Sequence, residues 1–345
     1  MLTAWRPASP AEPDLARIRE FLRELGAETF PHAHGRSLYE HLVGTAALLE
    51  RWRQPVWLCA AGLLHSIYST DVYKLQLLPL SRRDEVRGLA GDQAERIAYL
   101  FCEMSRKHFA DLFAAGATVP EGDLDIPRQP DADTPTLSIR HQELAPLLLV
   151  QLANEAEQSQ AKDGGPGSWV AQSVRLGKRL AELGAEVPPM FAMDVRVPVP
   201  GAERDAAHAY AMALDALEDP GSAAISLDSA TRRCGWLAEP HVWRAYLAAR
   251  AGDAQQASRE AITARTLLQG WGTPWDKRLT YTQWLTLIDR LEQGLYPPHG
   301  AASTRDFLQR ARNGRKARSP TLNPNPWCPA CSAIWPPLPT IRTTR

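Results

Sequence analysis

The stretch HLVGTAALLERWRQPVWLCAAGLLHS, residues 41–66, joins two apolar helical patterns and has a histidine near each end. Its first half repeats apolar residues at the spacing of one helix face, which predicts a helix beginning at Ser37. Residues 56–67 are apolar nearly all round, and such a helix is buried on most sides. The small residues 60–62 would let a neighbouring helix approach closely, so we expect His65 to be buried.

Helical periodicity continues over most of the 345 residues. Near the start, the apolar spacing predicts a helix that ends at Gly26, where glycine can serve as a C-terminal cap. Residues 116–136 hold four prolines and five acids without an apolar period, which predicts a loop. The sequence therefore predicts an all-α fold. The helical segments predicted in its first half are 15–25, 37–49, 56–67, 81–91, 94–104 and 139–157.

After residue 200 the helical patterns become rich in alanine. The segment from Trp243 to Ala264, with a turn at Gly252, resembles a tetratricopeptide-like helix hairpin, and a weaker pattern covers residues 206–230. Two hairpins fall short of the roughly three repeats that a free-standing solenoid needs. We therefore expect these hairpins to dock on the first domain or on another subunit.

The last hairpin is rich in tryptophan, with Trp271, Trp275 and Trp284. These side chains could form a partner surface or a wedge in the core. Most tryptophans are largely buried, which favours the core.

A glycine-rich break at residues 163–167 divides the chain. We predict an HD-like helical domain over residues 1–162, a domain of helix hairpins over 168–300, and a basic, proline-rich, disordered tail over 301–345. In the tail, Cys328 and Cys331 have zinc-knuckle spacing. A structural zinc site needs four ligands, and no second pair lies nearby, so this signal for a metal is weak.

Charge and hydropathy exclude several classes of function. Lys and Arg together number 39, as do Asp and Glu, so no overall field draws in nucleic acid or an anionic membrane. No apolar run reaches the roughly 18 residues of a membrane span, and the first residues lack the apolar core of a signal peptide. We expect a cytoplasmic protein. Its five cysteines do not form a disulfide pattern.

Two histidines and an asparagine carry a resemblance to a known metal site. His41 lies in YEHL, His65 in AGLLHS and Asn154 in LANE. This arrangement resembles the HD superfamily of metal-dependent phosphohydrolases and related oxygenases. In that superfamily one helix carries a histidine, a later helix ends in His-Asp, and a distant aspartate closes the metal site. Here Ser66 and Asn154 stand where the two aspartates are expected.

Residues 34–41, HGRSLYEH, and 65–68, HSIY, also resemble an uncharacterised bacterial HD-like family in which His-Ser-Ile-Tyr is the usual form. The loss of the aspartate is then a family trait. Over residues 25–160, this resemblance implies an HD-like helical bundle with a pocket around the histidines.

The resemblance implies a metal site, but a buried divalent ion needs charge compensation that both replaced acids would have supplied. Three arrangements stay open. In the first, His34 joins His41 and His65 in a three-imidazole site for zinc, manganese or iron, with one open position.

In the second arrangement, a neighbouring carboxylate from Glu40, Asp71 or Glu155 becomes a ligand. In the third there is no metal, and the pocket binds a small polar ligand by hydrogen bonds, for which imidazole, hydroxyl and amide groups supply donors and acceptors. That pocket consists of His41, His65, Ser66, Tyr68 and Asn154.

If the pocket is catalytic, we expect His65, Ser66 and Asn154 to act in the reaction. Arg36, Tyr68 and Asp71 are the expected substrate-binding residues. Serine catalysis is disfavoured, because adjacent residues on a helix point about 100° apart and His65 cannot easily act as base for Ser66. Only His41 could take that role.

Two functions follow as expectations. The first is metal-dependent hydrolysis of a phosphoester, with an iron-dependent oxygenase as a weaker variant because such dinuclear sites depend on carboxylates. The second is a non-catalytic protein that binds a small polar or phosphorylated ligand, or acts as a scaffold and recruits a protein partner through its C-terminal helices.

Overall fold

The computed structural model describes residues 12–114, 117–129, 135–161 and 164–294. These residues are mostly helical, which confirms the predicted all-α class. They separate into two compact units, of which the first comprises the described residues up to Glu157 together with Arg179–Glu186. The tail over 301–345, with Cys328 and Cys331, lies outside the described residues.

The first unit is a helical bundle with one small antiparallel sheet. Its first helix is capped by the Asp14 side chain, which accepts hydrogen bonds from the backbone N–H groups of Ala16 and Arg17. The helices are α1 (Leu15–Glu24), α2 (Leu38–Arg51), α3 (Val56–Leu64), α4 (Arg83–Ala90), α5 (Asp92–Glu103), α6 (Arg106–Asp111) and α7 (His141–Gln158), with 3-10 turns at Ala33–Gly35 and Leu80–Arg82 and strands β1 (Leu124–Pro127) and β2 (Thr136–Ile139).

Helices α2 and α3 pack closely, and a glycine makes the approach possible. A Cβ atom added at Gly62 would lie 2.6 Å from the Leu49 side chain and 3.4 Å from the Cα atom of Ala46. The expectation of a close helix approach at residues 60–62 is confirmed. His65, the C-terminal cap of α3, is fully buried, also as expected.

The prediction of a loop over residues 116–136 is wrong in part, because β1 lies within it and pairs with β2 from Leu124–Ile139 to Pro127–Thr136. Only Ile126 of the four β1 residues is buried. A single buried residue in so short a strand leaves no alternation for a sequence pattern to detect.

The second unit comprises Gln158–Lys178 and the described residues from Val187 onward. Its helices are α8 (Val170–Arg179), α9 (Ala202–Asp215), α10 (Pro220–Arg233), α11 (Ala238–Arg250), α12 (Ala254–Trp271) and α13 (Tyr281–Glu292). The pairs α9/α10 and α11/α12 pack as helix hairpins at the predicted positions, and α13 packs on α12. Their tetratricopeptide-like character stays a prediction.

Tryptophans form the core of the second unit. Trp271, Trp275 and Trp284 are at most 2% exposed. Their indole N–H groups donate to backbone oxygens of Trp236, Gly167 and Asp276, respectively. The core interpretation of these residues is therefore correct. Among the helices of the described ranges, none is long and apolar enough to cross a membrane.

Candidate functional site

Three polar side chains from α2, α3 and α7 converge inside the first unit. The Nε2 atoms of His41 and His65 are 3.1 Å apart. The Oδ1 atom of Asn154 lies 3.0 Å from Nε2 of His41 and 3.1 Å from Nε2 of His65. All three side chains are buried, with at most 4% exposure. The resemblance therefore identified three residues that the fold brings to one point.

The hydrogen-bond partner of Nδ1 in each imidazole ring determines which ring nitrogen carries the proton. Nδ1 of His41 is 2.6 Å from Oε2 of Glu157, and Nδ1 of His65 is 2.7 Å from the carbonyl oxygen of Gly62. A carboxylate and a carbonyl can only accept, so both Nδ1 atoms donate. In the neutral rings, both Nε2 atoms therefore carry lone pairs that point at each other and at Asn154.

Burial keeps His65 neutral. Removal from water, and then the nearby His41, lower the pKa of His65 well below its usual 6.5. Three lone pairs therefore meet at hydrogen-bond distance without a proton between them. Two things would stabilise this arrangement: a bound cation, or a half-turn of the Asn154 amide that directs the two N–H bonds of Nδ2 at the two Nε2 atoms. The Nδ2 atom of Asn154 has no hydrogen-bond partner among the described residues.

Glu157 is the charged member of the cluster, and sequence reasoning missed it. It follows Asn154 by three residues on α7, so both side chains lie on one face of that helix. Its Oε1 atom forms an ion pair with Arg36. A Cβ atom at Gly44 would lie 2.5 Å from Oε1 of Glu157, so glycine at this position of α2 makes room for the carboxylate.

A further histidine, His32, covers His41. The two rings are stacked, with centroids 4.2 Å apart and planes inclined by 7°. Burial, and then the neighbouring His41, lower the pKa of His32 to about 3, so the ring is neutral. The sequence predicts His34, not His32, as the histidine that this loop brings to the site.

The predicted three-imidazole site of His34, His41 and His65 is not assembled. Within the described part of the chain, no group of three or more His, Cys, Asp or Glu side chains is arranged to hold a metal ion. His34 lies in the 3-10 turn Ala33–Gly35 with a left-handed backbone (φ 61°), and the ring of this loop that stacks on His41 is His32. The groups that converge and could act as metal ligands are the imidazoles of His41 and His65 and the amide of Asn154.

The three carboxylates proposed as substitute ligands make other contacts. Glu40 caps the first turn of α2 by accepting from the backbone N–H of Ser37. Asp71 accepts from the backbone N–H of Arg106, and Glu155 accepts from the side chain of Gln151. The carboxylate that reaches the histidines is that of Glu157.

The expected substrate-binding and catalytic residues make different contacts, and not all of them join the cluster. Arg36 contacts the cluster through Glu157. The buried Tyr68 donates from its hydroxyl group to Glu95. Ser66 is 5% exposed beside His65. Both nitrogens of His41 face other partners, so the geometry does not support His41 as a base for Ser66.

Comparison with protein-family models gives a match over part of the chain. A model described as a domain of unknown function, DUF6817, matches residues 21–106. The matched segment contains His32, Arg36, His41 and His65, and ends before Asn154. No curated protein and no solved structure gave a significant match to the chain.

Proposed function

We propose that the first unit is an HD-like domain that binds one divalent metal ion through Nε2 of His41, Nε2 of His65 and Oδ1 of Asn154. The observation that carries this proposal is the triangle of three lone-pair atoms, 3.0 to 3.1 Å on each side. Ligand atoms about 2.1 Å from an octahedral ion and at right angles to one another are about 3.0 Å apart, whereas those of a tetrahedral zinc ion are about 3.4 Å apart. The donor set therefore fits one ion.

The surroundings of the histidines also suit a metal site. Histidine ligands usually donate their other N–H group to a carboxylate or a backbone carbonyl, which fixes the tautomer. His41 makes the first contact with Glu157, and His65 makes the second with Gly62. Glu157 also places a carboxylate behind His41, although its negative charge is shared with Arg36. Imidazole donors favour zinc and iron, with manganese as a third candidate.

The reaction we propose for this site is hydrolysis of a phosphoester, as the HD resemblance implies. A bound divalent ion would act as a Lewis acid toward a phosphoryl oxygen. In this assignment His41, His65 and Asn154 supply the metal ligands, and the hydrogen bond to Glu157 fixes the tautomer of His41. Arg36, Tyr68 and Asp71 are the candidates for contact with substrate, and Ser66 adjoins the site.

A second function is supported by the burial of the cluster. The donor atoms belong to side chains that are at most 4% exposed, and His32 stacks on His41. A site so closed suits a non-catalytic protein, in which the cluster stabilises the fold or binds a small polar ligand. The helix hairpins of the second unit would then recruit a protein partner.

Metal content tests the first proposal. Full-length protein purified without chelator, and again after reconstitution with zinc, manganese or iron, is analysed by mass spectrometry beside the variant His41→Ala, His65→Ala. We expect about one metal ion per chain, lost in the variant. His208→Ala removes an exposed histidine from the second unit and is expected to leave the metal content unchanged.

The loaded protein is then assayed with bis(p-nitrophenyl) phosphate as a generic phosphodiester. Turnover that follows metal content in the variants supports the hydrolase. Metal without turnover favours the non-catalytic function. A protein that stays free of metal after reconstitution overturns the metal proposal.

A further inference from the structure

The loop of residues 31–37 is closed at its base by backbone pairing. Pro31 and Ser37 form an antiparallel bridge, and the N–H of His32 donates to the carbonyl oxygen of Arg36 at 2.7 Å. The N–H of Leu38 donates to the carbonyl oxygen of Phe30 at 2.8 Å. The loop is therefore a compact flap rather than an irregular connection.

The tip of this loop is open to solvent. Gly35 is exposed, and a Cβ atom added there would meet no atom within 4 Å. His34 and Gly35 both have left-handed backbone angles, with φ of 61° and 75°, which reverse the chain direction within a few residues. The tip thus stays out of the core while its two flanks face inward.

A side chain from each flank contacts the histidine cluster. On one flank, the ring of His32 stacks on that of His41. On the other, the guanidinium of Arg36 pairs with Glu157. The residues that the loop contacts, His41 and Glu157, are joined to each other by the 2.6 Å hydrogen bond from Nδ1 of His41. The loop therefore covers this part of the cluster.

The loop also contacts Tyr73, whose hydroxyl group donates to the carbonyl oxygen of Pro31 at 2.9 Å and whose ring centroid lies 5.2 Å from that of His32. The side chains that hold the loop are more exposed than those of the cluster. The side chain of Arg36 is 32% exposed, whereas His41 is 1% and His65 is 0% exposed. A surface loop held by partly exposed side chains opens more often than a buried helix core. By contrast, α2 and α3 are held by close packing at Gly62.

We propose that residues 31–37 form a lid over the His41, His65 and Asn154 cluster, and that release of His32 from His41 and of Arg36 from Glu157 controls the access of ions and small solutes to it. Only the identity of the solute that enters, a divalent metal ion, rests on the proposed function. The opening of the lid is independent of that assignment.

Amide hydrogen exchange of the metal-free, full-length protein tests the opening. We expect the lid amides of the wild type, residues 32–38, to exchange faster than those of α3 and α5, with little dependence on low concentrations of urea, as local opening requires. His32→Ala and Arg36→Gln are expected to speed lid exchange by about tenfold and to leave α3 and α5 unchanged.

Matched variants separate the lid contacts from general effects. His32→Phe keeps a flat ring on His41 and is expected to exchange close to the wild-type rate. His208→Ala and Arg17→Gln change exposed residues elsewhere and are expected to have no effect on the lid. The lid proposal is overturned if the lid amides exchange only by global unfolding. It is also overturned if their exchange rates are unchanged in His32→Ala and Arg36→Gln.

Zinc exchange tests access. If the wild type binds zinc, transfer to a chromophoric chelator is expected to be about tenfold faster in His32→Ala and Arg36→Gln, with the bound amount unchanged. Equal transfer rates contradict the control of access. A protein that binds no zinc overturns the proposed metal function, while the amide exchange still decides whether the lid exists.

Discussion

Glu157 accepts a hydrogen bond from Nδ1 of His41 at 2.6 Å, although the two residues are 116 positions apart in the sequence. The bond joins α2 to α7 and determines which nitrogen of His41 carries the proton. Because Nδ1 donates, the lone pair of Nε2 points toward His65 and Asn154. The cluster thus depends on a carboxylate outside the recognisable motif.

Replacing Glu157 by glutamine is expected to weaken metal binding about 10- to 100-fold. The amide oxygen can still accept from Nδ1 of His41, but the negative charge that offsets the ion is lost. The affinity is measured by competition with a chromophoric chelator. Glu155→Gln, two residues earlier on α7, is the matched control and is expected to bind metal as the wild type does. Equal affinities in the two variants would contradict a role for Glu157.

Gly44→Ala is expected to destabilise the protein by about 1 to 3 kcal/mol, because the new Cβ atom would overlap the Glu157 carboxylate. The free energy of unfolding is measured by urea denaturation. Gly88→Ala, in α4, has open space around the added methyl group and is expected to stabilise the protein by up to about 1 kcal/mol. Equal changes in both variants would show that Glu157 moves aside freely.

In the second unit, Glu239 is expected to make stability depend on pH. Its Oε1 atom accepts from the N–H groups of Trp275 and Asp276, while Oε2 has no partner among the described residues. Burial, and then the charge of Asp276, raise the pKa of Glu239 from its usual 4.5 to about 7. The folded state therefore holds a proton that the unfolded state has released between these pH values.

With this sign, stability falls as pH rises from about 4.5 to about 7 and then levels off. Glu239→Gln keeps an accepting oxygen and removes the titration. We expect the variant to be more stable than the wild type at pH 8, by up to about 3 kcal/mol, and equally stable near pH 4.5. Urea denaturation at each pH measures this, with the exposed Glu218→Gln as control. A difference that does not vary with pH would contradict the assignment.

Glu203 is expected to be essential for the start of α8. Its carboxylate accepts from the N–H groups of Trp169, Val170 and Ala171, and from the indole N–H of Trp275. Alanine at this position leaves these buried donors without their acceptor, which we expect to cost about 3 to 5 kcal/mol in the free energy of unfolding. Glu218→Ala is the exposed control. A loss below about 1 kcal/mol would mean that water replaces the carboxylate.

The helical fold and three residues of the cluster could be predicted from the sequence. Apolar periodicity marks α2, α3 and α7 because these helices bury most of their surface. The resemblance to the HD motif pointed to His41, His65 and Asn154, and the fold brings these three side chains together. The short strand β1 was not predicted, because a single buried residue gives no alternation of apolar and polar positions.

Glu157 and His32 were missed for different physical reasons. Glu157 does not stand at a motif position, although its spacing of three from Asn154 was a usable signal on a helix. The choice between His32 and His34 depends on the left-handed backbone of the loop. Backbone angles in a loop are set by tertiary contacts such as the pairing of Pro31 with Ser37, which no local pattern encodes.

The central claim is that a metal ion lies between His41, His65 and Asn154. Anomalous diffraction at the zinc absorption edge, from crystals of zinc-reconstituted full-length protein, tests it most directly. We predict a single strong anomalous peak about 2.1 Å from Nε2 of His41, Nε2 of His65 and Oδ1 of Asn154. A cluster without such a peak, with its nitrogens still at hydrogen-bond distance, would show that hydrogen bonds rather than a metal ion join the three side chains.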